Sequence, residues 1–434
     1  MNPPVEMAAA YSVAPIDKDK NYDKWWLALD DPYLDSFITK ALGNNFTLKQ
    51  AYSRLEQANA FRRKEAAAYK PSITGELSGS ARWDEDSNRT VSKGLGASLS
   101  WEIDLWKKLS SAERAAFLES GATADDVADT ALLLSSQLAD TYFQIIEQRR
   151  LFDVLSQQIE VSRNYLHLIK LRFSLGDASL VDIYQQRQQL ASLRAQLPSI
   201  TSLSATLHNR FHLLSGLSPG RAEIESGKVL PEIPALPELG VPADLLTRRP
   251  DLRARHKKLI AADYRVATAV ADRLPGLRIG ATAGVQGASL SSDYRFHSIF
   301  AEVMAPIVDW GRRKAEVRRR KAMVEEELSR YASAYLTAME EVENALSREK
   351  GKKELIRHIE EQLLMAEESL RETRNRYMNG LSDYLPVMTA LQTKQRLELK
   401  LISEKRSIIS NRILLYRALG GSLLSDDTTL ERKG

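Results

Sequence analysis

The chain repeats itself at an offset of 204 residues: Pro71 aligns with Pro275, Trp106 with Trp310, Arg172 with Arg376, Gly176 with Gly380 and Gly216 with Gly420. Leu48 and Leu252 obey the same shift, and no gap is needed between Leu48 and Gly216. Solenoid repeats have periods of about 20–50 residues, so this is a tandem copy of a whole supersecondary assembly. A length prior of about three domains for such a chain gives way to two similar halves.

Each unit opens with a helix, Asn45 to Tyr69 and Asp251 to Arg273, without Gly or Pro until Pro71 and Pro275 stop it. The period then falls to two. Ile73, Leu77, Ala81 and Trp83 alternate with Ser72, Thr74, Ser78 and Ser80, and after the polar loop Asp84 to Ser92 the alternation resumes. Leu95, Ala97, Leu99, Trp101, Ile103 and Leu105 face one way, with Ser98 and Ser100 facing the other. The second unit repeats this with Leu277, Ile279, Ala281, Ala283 and Val285, then Ile299, Ala301, Val303, Ala305 and Ile307. Strict alternation predicts strands with one apolar and one polar face, about 11 residues long.

A long helix follows. No proline lies between Pro71 and Pro198 or between Pro306 and Pro386. Val127, Ala131, Leu134, Leu138, Thr141 and Ile145 form a seam, matched by Leu328, Ala332, Tyr335, Met339, Val342 and Leu346. Some 65 residues of helix span roughly 100 Å. Gly176 and Gly380 then read as helix C-terminal residues, and helices return over about Ser179 to Leu214 and Ser382 to Ala418.

Composition narrows the function. A net charge of +4 from 61 basic and 57 acidic residues gives no nucleic-acid footprint. With no cysteine, disulfides, thiolate zinc sites and thiol nucleophiles are excluded. No apolar run approaches the roughly 18 residues of a membrane-spanning helix. The start, MNPPVEMAAAYSVAP, lacks a signal-peptide pattern, so the protein is either cytosolic or has lost such a segment. No nucleophile–base pair, phosphate loop or metal cluster is evident, so the chain reads as a non-enzyme without cofactor.

Strands of about 9–11 residues with one apolar face suit a transmembrane β-barrel. One chain supplies only four, and an open edge in lipid leaves backbone groups unsatisfied. Two copies would give 8 strands and three would give 12; an 8-stranded barrel is about filled by its own side chains, whereas more strands leave a channel. The small polar face, with Ser72, Thr74, Ser78, Ser98, Ser100, Gly280, Thr282 and Gly284, favours a wet lumen and three copies. The alternatives are an α+β protein with hairpins packed on helices and a soluble coiled-coil scaffold.

Several segments resemble the TolC-like outer-membrane efflux proteins, specifically the OprM/NodT-type branch. KWWLALDDPYLDSFITKALGNNFTLKQA (24–51) is similar to its N-terminal signature, and LSWEIDLWKKL (99–109) and VDWGRR (308–313) to its strand-to-helix junctions. VPADLLTRRPDLRAR (241–255) resembles the opening of the second repeat, and RFSLGDASLVDI and RYMNGLSDYLPV, from Arg172 and Arg376, resemble the helix-hairpin tips. The resemblance implies a mainly α fold with transmembrane β: a homotrimer whose 12-stranded β-barrel in outer-membrane lipid continues as a 12-helix α-barrel through the periplasm. It further implies a passive exit duct for small molecules, working with a periplasmic adaptor (membrane fusion protein) and an inner-membrane pump of the resistance–nodulation–division (RND) type. A duct for type I protein secretion is the rival reading within the family. Many members of the branch carry an acylated cysteine at the mature N-terminus, and this sequence has none.

The expected division is an N-terminal equatorial segment 1–40, a first repeat 41–216, an equatorial linker 217–247 containing Pro231, Pro234, Pro237 and Pro242, a second repeat 248–420 and a tail 421–434. The resemblance places a periplasmic gate at Asp182 and Tyr377, with Asp383 near the second tip. The basic residue often found two positions after the second tip glycine is Ser382 here. A ring of Asp182 carboxylates would favour cations; the same residue also suits a first helical turn. Arg172, Gly176, Asp177, Arg376, Gly380 and Leu381 are candidates for docking the adaptor. Trp83, Trp101, Trp106 and Trp310 are candidates for membrane-interface aromatics. His208 and His212 are spaced i, i+4 as metal ligands can be, but their repeat positions are Arg412 and Tyr416 and no third ligand is evident, so no metal site is expected.

Overall fold

The computed structural model describes residues 24–83, 89–220, 224, 229–237, 239, 242–288 and 294–421. A 3-10 turn, Trp25–Leu29, leads into α1 (Pro32–Asn44), α2 (Phe46–Ala67), β1 (Ser72–Trp83), β2 (Arg89–Ile103), α3 (Lys108–Ser174) and α4 (Leu180–Leu214). A 3-10 turn at Pro242–Asp244 and α5 (Leu245–Arg248) precede the second series: α6 (Pro250–Ala271), β3 (Gly276–Gly287), β4 (Tyr294–Met304), α7 (Arg312–Met378) and α8 (Tyr384–Ala418). The long helices have 67 residues each and the return helices 35 each, so the repeat holds element by element. Among the described residues no helix is long and apolar enough to cross a membrane.

Contacts divide the chain into two compact units that are not the two repeats. Among the described residues one joins Ala51–Val127 to Pro250–Ala334, and the other joins 24–50 with Ala128–Arg249 and 335–421. Each unit therefore takes matching pieces from both repeats.

The first unit contains one antiparallel sheet of order β1-β2-β3-β4, so β1 and β4 are its edges. Register places apolar residues opposite each other: Ile73 with Leu99, Leu77 with Leu95, Leu95 with Val285, Trp101 with Ile279, and Ala281 with Ile299. They make one continuous apolar face. Ile73 is 74% exposed, Leu77 73% and Ile299 85%, which a water-facing sheet would not sustain. The strands stop earlier than alternation predicts. Leu105, Ala305 and Ile307 lie outside them, because Asp104 turns to cap α3 and Pro306 has no N–H for a ladder. Beside the sheet, α6 presents basic residues to acids on α3: Arg265 grips Glu119 with bonds of 2.8 and 2.7 Å, and Arg253 and Lys257 converge on Asp125.

The second unit is cored by aromatics. Trp25 and Trp26 are buried with Leu34 and Ile38 against Tyr142 and Phe143 of α3, Phe211 of α4 and Ile413 of α8. Their indole N–H groups have partners, Ser135 Oγ at 3.2 Å and Asp35 Oδ1 at 2.8 Å. The seam Val127 to Ile145 is buried at all six positions. Its counterpart on α7 is buried at Tyr335, Val342 and Leu346 and half-buried at Met339, while Leu328 is 37% exposed. Pro198 sits inside α4 without ending it, and Pro386 lies in the first turn of α8, where its missing N–H has no intrahelical partner to lose.

Candidate functional site

Two regions have the composition of a duct: the face of the sheet opposite the apolar one, and the helix-hairpin tips. Serine and threonine residues from Ser72 to Ser80 share the first with Ser98, Ser100 and Thr282, and Thr282 and Ser298 hydroxyls meet at 2.7 Å. Sequence reasoning overlooked the aromatics there. Phe296 and Phe300 of β4 lie over Gly284 and Gly280 of β3, and a Cβ at Gly280 would stand 2.2 Å from the Phe300 ring. The glycines leave room for the ring tips over the neighbouring strand. The signal was available in parity, since Phe296 and Phe300 alternate with Ile299 just as Ser298 does.

Both tips are built alike. Gly176 (φ +85°) and Gly380 (φ +73°) end their helices in the left-handed region. Asp177 N–H donates to Arg172 O and Leu381 N–H to Arg376 O, each at 2.8 Å, the six-to-one bond of a Schellman turn. Leu381 is 69% exposed at the end of its tip.

Chemistry then diverges between the copies. Ser179 caps α4 in a full capping box: its Oγ accepts from Asp182 N–H at 3.2 Å, and its N–H donates to the Asp182 carboxylate at 2.9 Å. Asp383 holds the equivalent cap position on α8 but makes no side-chain cap bond, and its carboxylate is exposed. Asp182 is therefore tied to its own helix end, whereas Asp383 presents an unengaged charge.

Tyr377 is buried with Ile169, Ile183, Tyr384 and Val387. The Arg172 guanidinium lies 4.5 Å over its ring and donates to its carbonyl at 3.0 Å. A basic partner thus reaches Tyr377 from the first hairpin, not from the position of Ser382. Burial raises the Tyr377 hydroxyl above its usual range, Arg172 opposing and Asp182 and Asp177 reinforcing. Tyr384 is also raised, again chiefly by burial; its hydroxyl donates to Gln186 Oε1 at 2.6 Å, and Gln186 Nε2 reaches Ser162 at 2.8 Å. Above them Gln189 links α4 to Gln392 and Gln395 of α8 at 2.9 and 3.1 Å. No sequence signal singles out these glutamines.

Of the aromatic candidates, Trp83 and Trp101 lie on the apolar face near opposite ends of the hairpin. Trp106 donates to Pro275 O at 2.7 Å, while its repeat equivalent Trp310 is 97% exposed. His208 Nδ1 faces Ser204 O at 2.8 Å, and among the described residues no group of three His, Cys, Asp or Glu side chains is placed to hold a metal.

The sequence model of a family described as Outer membrane efflux protein matches residues 37–216 and 241–421. The chain is 29% identical over 431 residues to the Pyoverdine export outer membrane protein OpmQ of Pseudomonas aeruginosa, covering 94% of this chain and 90% of that one. It is 27% identical to the Toluene efflux pump outer membrane protein TtgF of Pseudomonas putida, covering 92% and 85%. The fold superposes on the outer-membrane channel OprN with a TM-score of 0.89 at 24% identity, covering 97% of this chain and 99% of OprN. The paired apolar and polar strand faces, the two helix-hairpin tips and a family match through both repeats lead to one conclusion: this chain belongs to the outer membrane efflux protein family and is an outer-membrane efflux channel.

Proposed function

We propose that three copies close into one duct and that it passes small organic molecules delivered by an RND-type inner-membrane pump through a periplasmic adaptor. The observation that carries the closure is the sheet, with one apolar face and two edge strands lacking a second partner. All neighbours run antiparallel, so β4 of one copy can pair antiparallel with β1 of the next. Three copies give the 12 strands that leave a water-filled lumen, which about 8 do not. The cargo class follows the names of the relatives, a pyoverdine export protein and a toluene efflux pump protein.

In this reading the tips form the periplasmic gate and adaptor surface. Asp383 supplies its exposed charge, Asp182 shapes its helix start, and Tyr377 with Arg172 ties one hairpin to the other. Arg376, Gly176, Asp177, Gly380 and Leu381 form the outer tip surface. Trp83, Trp101, Trp106 and Trp310 belong to the membrane boundaries. The segments 1–40, 217–247 and 421–434 form an equatorial band, of which 1–23, 221–223, 225–228, 238, 240–241 and 422–434 lie outside the described residues.

Reconstitution into planar bilayers tests this directly. The expected result is a channel from a detergent-stable trimer, with cation preference reduced in Asp383→Asn and less so in Asp182→Asn. A monomer without conductance would sink the duct, and unchanged selectivity in both variants would remove the tip carboxylates from the gate.

A further inference from the structure

The apolar face of the sheet differs between its two ends. Near the helices it carries Ile73, Trp101, Ile279 and Val303 and no charge, whereas near the turns it carries Arg89, Lys93 and Arg295. Parity is unambiguous: Arg89 pairs with Trp83, Lys93 with Gly79 and Gly287, and Arg295 with Val285. All three cations are exposed. None has an ion pair or hydrogen bond among the described residues; Arg89 alone has a ring neighbour, its guanidinium 5.8 Å from the Trp83 centroid. The carboxylates of the four strands, Glu76, Glu102 and Glu302, all lie on the other face. Asp84, Glu85 and Asp86 of the first turn lie outside the described residues and are not counted in the site.

The height of these cations is set by the strands. Lys93 is 10 residues from the end of β2 at Ile103, about 34 Å along the strand at ~3.4 Å each and about 26 Å in height at a tilt of roughly 40°. That matches the ~25 Å apolar band of an outer-membrane barrel. Because the helices adjoin the other end and belong to the periplasmic tunnel, the three cations lie at the outer-leaflet boundary. There, long basic side chains extend from an apolar surface to polar headgroups. Lys93 is flanked by glycine on both neighbouring strands, so no side chain beside it on those strands competes for its ammonium. Lys93 and Arg295 stand two strands and two residues apart, roughly 12 Å from the strand spacing and rise.

We propose that Lys93 and Arg295, with Arg89 beyond them, bind the phosphate groups of an outer-leaflet glycolipid, whose acyl chains lie on the apolar face beneath. The chemistry is that of phosphate monoesters meeting unpaired guanidinium and ammonium donors, the charge-assisted bonds that Arg and Lys make best. The inference rests on the sheet lying in the outer membrane.

The test uses the full-length protein in phosphatidylcholine nanodiscs containing diphosphoryl lipid A or its dephosphorylated form, with bound lipid counted by native mass spectrometry. Wild type should retain the phosphorylated lipid at least tenfold more tightly than the dephosphorylated one. R89Q/K93Q/R295Q should lose that preference, and R89K/K93R/R295K should keep it. Equal retention by wild type and the glutamine variant, or equal binding of the two lipids, would overturn the proposal. Should the glutamine variant fail to assemble, the salt dependence of wild-type binding decides, and a salt-independent affinity would overturn it. Conductance recorded on the same preparations separates the two readings: an intact channel without lipid preference refutes the site alone, and absence of a channel refutes the duct.

Discussion

Arg412 and Glu349 show how one residue pair organises part of the second compact unit. Arg412 is fully buried and Glu349 nearly so. The guanidinium is bidentate on the carboxylate through Nε and Nη2, with the Nε arm at 2.9 Å, and Nη1 donates to Pro234 O and Ala235 O at 2.8 and 2.7 Å. Arg412 thus ties the proline linker to α7 and α8, beside Leu230 and Ile233, which pack on the aromatic core. The repeat positions are His208 and Ile145, so this anchor exists once per chain. Removing one partner of such a pair leaves an uncompensated buried charge, and Arg412→Ala should cost about 3–5 kcal/mol. Burial raises the Glu349 carboxyl, but Arg412 and then Lys353 outweigh it and hold it below its usual value. The sign follows: the contribution is present above the unfolded-state carboxylate pKa and is lost as pH falls through the lower native one. Glu349→Gln should therefore be less stable than wild type near neutrality, with the gap narrowing in acid. Unfolding followed by circular dichroism across that range checks it, and a gap that widens in acid would refute the assignment.

At the scale of elements, helix ends matter more than helix middles. The long helices and the return helices all terminate in glycine at positive φ, in both repeats, but their surroundings differ. Gly176 and Gly380 face open space, whereas a Cβ on Gly216 would lie 2.7 Å from Asn44 O and one on Gly420 2.9 Å from the backbone of Arg248. Alanine at the tip glycines should cost only the left-handed conformation, about 1–2 kcal/mol. Gly216→Ala and Gly420→Ala add a collision with backbone that cannot rotate away, so their loss should exceed that of Gly380→Ala in the same melt. Equal losses would mean that the α1 and α5 backbones can yield. The four glycines were visible in the sequence because the repeat marks them, as were the strands, because period-two alternation is a local signal. What lay beyond reading was whatever depends on a second segment. Arg172 over Tyr377 and the glutamine links between α4 and α8 join residues about 200 positions apart, and nothing in their own neighbourhoods announces a partner. Asp182 and Asp383 are the reverse case: Ser179 and Asp182 have the spacing of a capping box, legible in the sequence, and the second copy lacks it because Pro386 stands where Asp182 does.

At the scale of the whole molecule, the unanswered demand of the chain is its pair of sheet edges. An exposed edge strand in water tolerates proline at alternate positions, those whose N–H points away from the partner strand. In lipid each unpaired backbone group costs several kcal/mol, and a closed barrel leaves none to spare. A proline scan over Ser298, Ile299, Phe300 and Ala301 in the middle of β4 therefore distinguishes an open sheet from a closed one. If β4 pairs with β3 alone, two of the four variants should assemble and conduct like wild type. If β4 also pairs with β1 of a neighbouring copy, every position donates on one side or the other, and all four should lose the detergent-stable trimer and its conductance. The scan has an internal control in the helices, because α3 and α7 retain their own hydrogen bonds whichever edge is broken. A far-ultraviolet spectrum that keeps its helical signal while the trimer disappears would locate the damage in the closing strand pair.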